Sequence, residues 1–143
     1  MRVNAAYLWA QLEQLDDIQA KRKHIWNKYQ EGLHSIIQDK VGLPVIPEYA
    51  TNNAHLFYLL CPSFEYRTRL IEYLKENGIQ AVFHYLPLHS SNYYVGRHEG
   101  RNLRDCDRYA DCLVRLPLYY ELDDTDLDYI IMSIKGFIKI DEG

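Results

Sequence analysis

The chain has 143 residues, 48% hydrophobic and 25% charged, with a net charge of −4, which fits one ordinary globular domain able to bury a core. No basic block supplies the electrostatic footprint of a nucleic-acid binder, and no apolar run approaches the roughly 18 residues of a membrane span. The N-terminus lacks a signal-peptide layout, so the expectation is a cytoplasmic chain with neither nucleic acid nor membrane as partner.

Leu8, Leu12, Leu15, Ile18, then Ile25, Trp26, Tyr29, Leu33 and Ile36 recur at three- and four-residue steps. That period predicts one long helix from about Asn4 to Ile37, with Asn4 as its N-cap. Glu13, Asp16, Asp17, Lys21, Lys23 and Lys28 lie on the opposite face. A helix of this length suits an element that spans a domain or joins two. A coiled coil is the competing reading, although the spacing lacks clean heptads. Ala5, Ala6, Leu8 and Trp9 make the first turns apolar, so an exposed apolar patch is expected over Ala5–Leu15, awaiting something to pack on it.

Gly42, Pro44, Pro47 and Asn52-Asn53 mark Lys40 to Asn53 as turn-rich. Ala54 to Leu60 reads as a strand apolar on both faces, hence covered. Ser63 caps a second helix that turns Phe64, Leu70, Ile71 and Leu74 inward and closes at Asn77-Gly78. A second strand runs from Ile79 to Tyr85 and ends at Pro87. The polar, aromatic stretch Leu88 to Asn102 is a loop long enough to be suspected of function. A shorter helix, about Leu103 to Val114, leads into extended Arg115 to Tyr119. Asp123 caps a last helix with Leu127, Ile130, Ile131, Ile134 and Phe137 as its apolar stripe; Asp124 and Asp126 at its start and Lys135 and Lys139 near its end complement the helix dipole. The fold class is α/β, a small sheet covered by helices with a long N-terminal helix.

The densest group of reactive side chains is Phe83-His84-Tyr85-Leu86-Pro87-Leu88-His89. Histidine moves protons near neutral pH, but strand alternation sends His84 and Tyr85 to opposite faces unless the chain bends at Pro87. The same pattern also suits a strand exit with structurally bonded histidines. Asn53 and His55 stand at the entry to the first strand, facing a cleft or serving as satisfied structural groups. Arg97, Arg101, Arg104 and Arg108 are candidates to hold a phosphate, but Asp105, Asp107 and Asp111 interleave with them, the pattern of a solvated ion-paired face. Glycine phosphate-binding fingerprints are missing, and Cys61, Cys106 and Cys112 lack metal-site spacing. They read as reduced thiols. The 13 tyrosines against 4 phenylalanines suit interfaces and ligand clefts, or replace phenylalanine in the core.

Four stretches, in order, resemble the DegT-type (StrS-like) sugar-nucleotide aminotransferases. Ala5-Ala6-Tyr7-Leu8-Trp9-Ala10-Gln11-Leu12-Glu13 is similar to the family's "AAxxxAQLE" helix, and Asn53 to Tyr58 to its "HxFY" strand. Leu74 to Ile79 with Val82 to His89 is similar to "LxxxGI…HYxPLH", and Leu113 to Tyr119, with Arg115-Leu116-Pro117-Leu118, to "LxRLPL". The wording is nearest the branch that resembles TDP-4-keto-6-deoxyglucose transaminases, which serve enterobacterial common antigen or O-antigen synthesis. The resemblance implies the small C-terminal domain of an aspartate-aminotransferase-like, fold-type I architecture, residues 1–143 forming a single domain without the large domain. It implies pyridoxal phosphate in the intact enzyme, glutamate as donor, a TDP-ketosugar as acceptor, and a homodimer. The family's aldimine lysine lies in the large domain, and none of Lys21, Lys23, Lys28, Lys40, Lys75, Lys135 and Lys139 has its motif. The resemblance therefore implies no catalytic, cofactor-binding or metal residue here, no covalent cofactor, and an inactive chain in isolation. The substrate-lining candidates are His84, Tyr85, His89, Asn53 and His55. Two rivals stand beside this reading: one half of a split aminotransferase, and a non-catalytic module for sugar-nucleotide binding or oligomerisation.

Overall fold

Apolar side chains from three helices meet one face of a small sheet, and that contact is the core. The computed structural model describes residues 2–34, 41–97 and 103–141. In chain order the elements are α1 (Arg2–Glu13), α2 (Leu15–His34), β1 (Phe57–Leu60), α3 (Phe64–Glu76), β2 (Val82–Phe83), α4 (Arg104–Cys112), β3 (Leu113–Leu116) and α5 (Asp124–Asp141), with a 3₁₀ turn at Leu88–Ser90. No helix among the described residues is long and apolar enough to cross a membrane.

The three strands pair antiparallel in the order β1-β3-β2. Pairing sets Phe57 opposite Leu116 and Leu59 opposite Val114, and these four are buried. Their neighbours Tyr58 and Arg115, opposite each other in the same register, are half-buried, as the two-residue period of a strand requires. Ile25, Tyr29 and Leu33 of α2 are fully buried; each contributes about 1.5–3 kcal/mol on transfer from water, an upper bound. Phe57 joins sheet to α2, its ring 5.0 Å from Tyr29 and 5.4 Å from Trp26. Tyr29 also donates its hydroxyl to the Pro117 carbonyl at 2.9 Å, which ties the exit of β3 to α2. On the far side Phe137 of α5 packs edge-on against Tyr66 of α3, 5.3 Å between centroids.

The caps follow the sequence. Ser63 accepts from the Tyr66 amide at 3.2 Å and opens α3, which ends at Asn77 with Gly78 at φ +73°, a conformation glycine adopts without a Cβ penalty. Asp123 accepts from the Asp126 amide at 2.8 Å and opens α5.

Several boundaries differ from those the sequence predicts. The long helix is two: Gln14 stands between them as a turn, its amide bonded to the Gln11 carbonyl. Asn4 is not its cap, because α1 already runs from Arg2. The predicted end at Ile37 lies outside the described residues. The apolar stripe is also not one buried face. Ile25, Trp26, Tyr29 and Leu33 are core, while Val3, Tyr7, Leu8, Trp9, Leu12 and Leu15 are exposed, so the patch expected over Ala5–Leu15 is present. The strands are shorter, 57–60 and 82–83 in place of 54–60 and 79–85. The fourth helix stops at Cys112, because Leu113 and Val114 pair with β1 and β2 to form the central strand. Part of the predicted 88–102 loop, residues 98–102, lies outside the described residues.

Candidate functional site

The loop entering β1 is held in an unusual shape. Ala54 has φ +51°, a left-handed conformation that costs a residue with a Cβ of the order of 1–3 kcal/mol and persists only under constraint. Three groups supply the constraint. Asn52 Oδ1 accepts from the Ala54 amide at 2.8 Å. Arg22 of α2 donates Nε to the Ala54 carbonyl at 3.1 Å and Nη2 to the His55 carbonyl at 2.6 Å. Asn53 Oδ1 lies 3.0 Å from His55 Nδ1 and accepts from the His55 amide at 3.3 Å. The result fixes the Asn53 and His55 side chains, both exposed, beside the sheet.

His55 lines a cavity of about 240 Å³ with Gln80, Val82 and Arg115. Arg115 sits at the middle of the central strand, opposite Tyr58 on one side and Val82 on the other. Its guanidinium carbon lies 6.0 Å from the Tyr85 ring centroid, and the Tyr85 ring is 4.9 Å from that of His84. His84 and Tyr85 therefore do not part to opposite faces. β2 ends at Phe83, so strand alternation no longer governs them. Burial first, then electrostatic interaction with Arg115 and with His55, pull the His84 pKa below its ordinary 6.5, which keeps the imidazole neutral at pH 7. His84 Nδ1 and Arg115 Nε are both buried with no hydrogen-bond partner among the described residues.

Four of the five residues singled out from the sequence, Asn53, His55, His84 and Tyr85, thus gather at one end of the sheet. His89 is engaged elsewhere, its Nε2 2.9 Å from Asp107 Oδ1 of α4. Arg115 was the missed member. Its signal was local: a lone cation inside the apolar run Leu113-Val114-Arg115-Leu116. A second cavity, about 440 Å³, lies across Pro117 between Ile79, Tyr119 and Tyr129; its charged lining is Asp126, and it holds none of the histidines. Among the described residues no three His, Cys, Asp or Glu side chains gather as a metal ion would need.

The fold and site define a small α/β unit that presents imidazole, tyrosine and guanidinium groups at the rim of an antiparallel sheet. The sequence model of the DegT/DnrJ/EryC1/StrS aminotransferase family matches residues 1–135, and the chain belongs to that family. It is similar in structure to S. venezuelae DesV, solved in complex with a ketimine intermediate, at 28% identity and TM-score 0.85, over 94% of this chain and 36% of DesV. A DegT/DnrJ/EryC1/StrS aminotransferase from Brucella abortus matches at 28% identity and TM-score 0.78, over 93% and 34% of the two chains. TlmJ, an aminotransferase from Streptoalloteichus hindustanus, shares the fold at 23% identity and TM-score 0.81, over 92% and 34%. The chain spans about a third of the length of the solved proteins it matches.

The described residues do not fit pyridoxal phosphate by themselves. Lys21, Lys23 and Lys28 lie on α2, Lys75 on α3, and Lys135 and Lys139 on α5, and none lines the cavity with His55 and Arg115. Lys28 is committed to Asp128 at 2.8 Å. Lys40 lies outside the described residues.

Proposed function

We propose that this chain is the C-terminal, substrate-covering portion of a pyridoxal-phosphate-dependent sugar-nucleotide transaminase. The reaction moves an amino group from glutamate to a TDP-4-keto-6-deoxy sugar for surface polysaccharide, in the cytoplasm. The observation that carries the reading is the convergence of Asn53, His55, His84, Tyr85 and Arg115 in a chain of this family. The cofactor and its lysine come from a large domain outside residues 1–143, and the working unit is a homodimer.

In that unit the chain's residues bind and orient. A neutral His84 exchanges hydrogen bonds with sugar hydroxyls without presenting a charge, and Tyr85 offers a flat apolar surface with a polar tip. The exposed face of α1, with Trp9 66% and Val3 80% accessible, is apolar area that the large domain covers.

The test is a coupled transamination assay with glutamate and TDP-4-keto-6-deoxyglucose. The chain alone is expected to be inactive and to carry no cofactor after borohydride reduction. Activity is expected when a lysine-bearing large domain of the family is supplied with it, and His84→Gln is expected to lower that activity. Pyridoxal phosphate fixed to any lysine of this chain would overturn the reading, as would turnover by the chain alone.

A further inference from the structure

We infer that Arg67 is a positioning residue: its guanidinium, clasped between the rings of Phe64 and Phe83, fixes the exit of β2 and so sets where His84 and Tyr85 stand. The clasp stands on the geometry; only its consequence for turnover rests on the transaminase reading. Arg67 lies on α3 with 7% of its surface exposed, the only charged residue that is buried among those described. Charged side chains are almost never buried this far unless paired. Arg67 nevertheless makes no ion pair among the described residues, and its Nε is buried without a hydrogen-bond partner there. Asp107 and Asp111 line the cavity of about 370 Å³ beside it, but the Asp107 carboxylate is engaged with His89 at 2.9 Å. Two aromatic rings face the guanidinium instead, Phe64 at 4.6 Å and Phe83 at 5.5 Å from Cζ to centroid. A desolvated cation is drawn to the negative face of a ring, and a planar guanidinium stacks there as a compact, hydrated ammonium does not.

The clasp falls where the backbone stops holding the chain. β2 is a two-residue strand at the edge of the sheet, and its pairing ends with Phe83 opposite Val114. Opposed residues of an antiparallel pair share a face, so Phe83 stands on the side of buried Val114, where Arg67 of α3 meets it. Arg115, the next residue of β3, points to the other face, and its guanidinium carbon lies 6.0 Å from the Tyr85 ring centroid. Residues 83 to 85 thus thread between two guanidinium groups, one from each face of the sheet. His84 sits between the two held rings, 4.9 Å from that of Tyr85. The segment cannot slide along the sheet edge without drawing Phe83 off Arg67.

The test uses the 143-residue chain and three variants, Arg67→Met, Arg67→Lys and Phe83→Leu, read by hydrogen exchange and by pH titration of the His84 imidazole resonances. Arg67→Met keeps the apolar stem and removes the charge. It is expected to speed exchange of the amides that pair β2 with β3 about tenfold, while those that pair β1 with β3 keep their rates. The His84 midpoint is expected to move upward, toward its ordinary 6.5, as the imidazole loses burial. Arg115 and His55 are the charged groups acting on His84, and Arg67 is not among them, so this movement reports position and not a lost charge. Phe83→Leu keeps the guanidinium and is expected to reproduce both changes; Arg67→Lys is expected to recover only part of the wild-type behaviour. A merely structural arginine would lower Tm and leave the His84 midpoint unmoved, and that result overturns the inference. So does Phe83→Leu with wild-type exchange in the β2–β3 pair. Should Arg67→Met fail to fold, Phe83→Leu decides alone, since that ring is half exposed. None of these measurements involves turnover, so a failed transaminase assay leaves them standing and the two proposals fail separately.

Discussion

Replacing Arg22 by Met removes the clamp on the loop that carries Asn53 and His55 while keeping the apolar stem. Arg22 makes two hydrogen bonds to carbonyls, 3.1 Å to Ala54 in a partly buried setting and 2.6 Å to His55 at the surface. Bonds from a charged donor contribute about 1.5–3 kcal/mol when buried and less when exposed, so their joint loss should cost about 2 kcal/mol. The loop resists relaxation less once the clamp is gone, because Ala54 at φ +51° has no intrinsic preference for its conformation. Unfolding entropy of about 2.1 cal/mol/K per residue gives roughly 0.3 kcal/mol/K for a chain of this size, so Tm should fall roughly 7 °C. Thermal unfolding followed by circular dichroism measures this. A Tm within about 1 °C of wild type would refute the clamp, and with it the idea that α2 positions His55.

Gly32 faces Ile131 across the α2–α5 contact, and a Cβ there would meet Ile131 Cδ1 at 2.9 Å and Cγ2 at 3.1 Å. Alanine gains about 1 kcal/mol of helix propensity, but a β-branched Ile131 has little rotamer freedom and overpacking costs about 1–3 kcal/mol; denaturant titration should find Gly32→Ala destabilised by up to about 2 kcal/mol. His84 has a folded pKa below its ordinary 6.5, so below 6.5 the unfolded chain binds its proton first. Stability is therefore full above 6.5 and falls as pH drops through the folded value. His84→Gln should flatten that acid limb, and a limb of unchanged slope in urea melts at pH 5 to 7 would argue against it. Cys61 is buried and its thiol is pushed up to about 12, chiefly by burial, and buried Cys112 is raised for the same first cause. Exposed Cys106 should react with a thiol reagent in the native chain, the other two only on unfolding.

Elements whose ends are written in local chemistry were legible in the sequence. Ser63 and Asp123 as caps and Asn77-Gly78 as a stop are each set by side-chain or backbone preference within a few residues, so α3 and the start of α5 could be read directly. The break at Gln14 could not. Periodicity reports which side chains share a face, not whether anything covers it. Leu8 and Leu12 continue the stripe of Ile25 and Tyr29 in sequence, yet the first pair is exposed and the second buried. Likewise Leu113 and Val114 suit the end of a helix or the start of a strand equally well. Their pairing with Leu60, Leu59 and Phe83 decides between the two, and those partners lie 31 to 55 residues away in the chain.

The site divides along the same line. His84 and Tyr85 are adjacent in sequence and stand out as a pair; strand alternation carried to Tyr85 puts them on opposite faces, whereas β2 ends two residues earlier, at Phe83. Asn53 and His55 were found as a pair as well, and the Asn53–His55 contact is local. What joins the two pairs is Arg115, which reaches Tyr85 from the central strand and lines the cavity with His55. A central strand has neighbours on both sides, so its outward residue touches segments from two distant parts of the chain at once. A lone arginine between Val114 and Leu116 is therefore the local mark of a junction. Its partners become visible only when the register sets Tyr58 on one side of it and Val82 on the other.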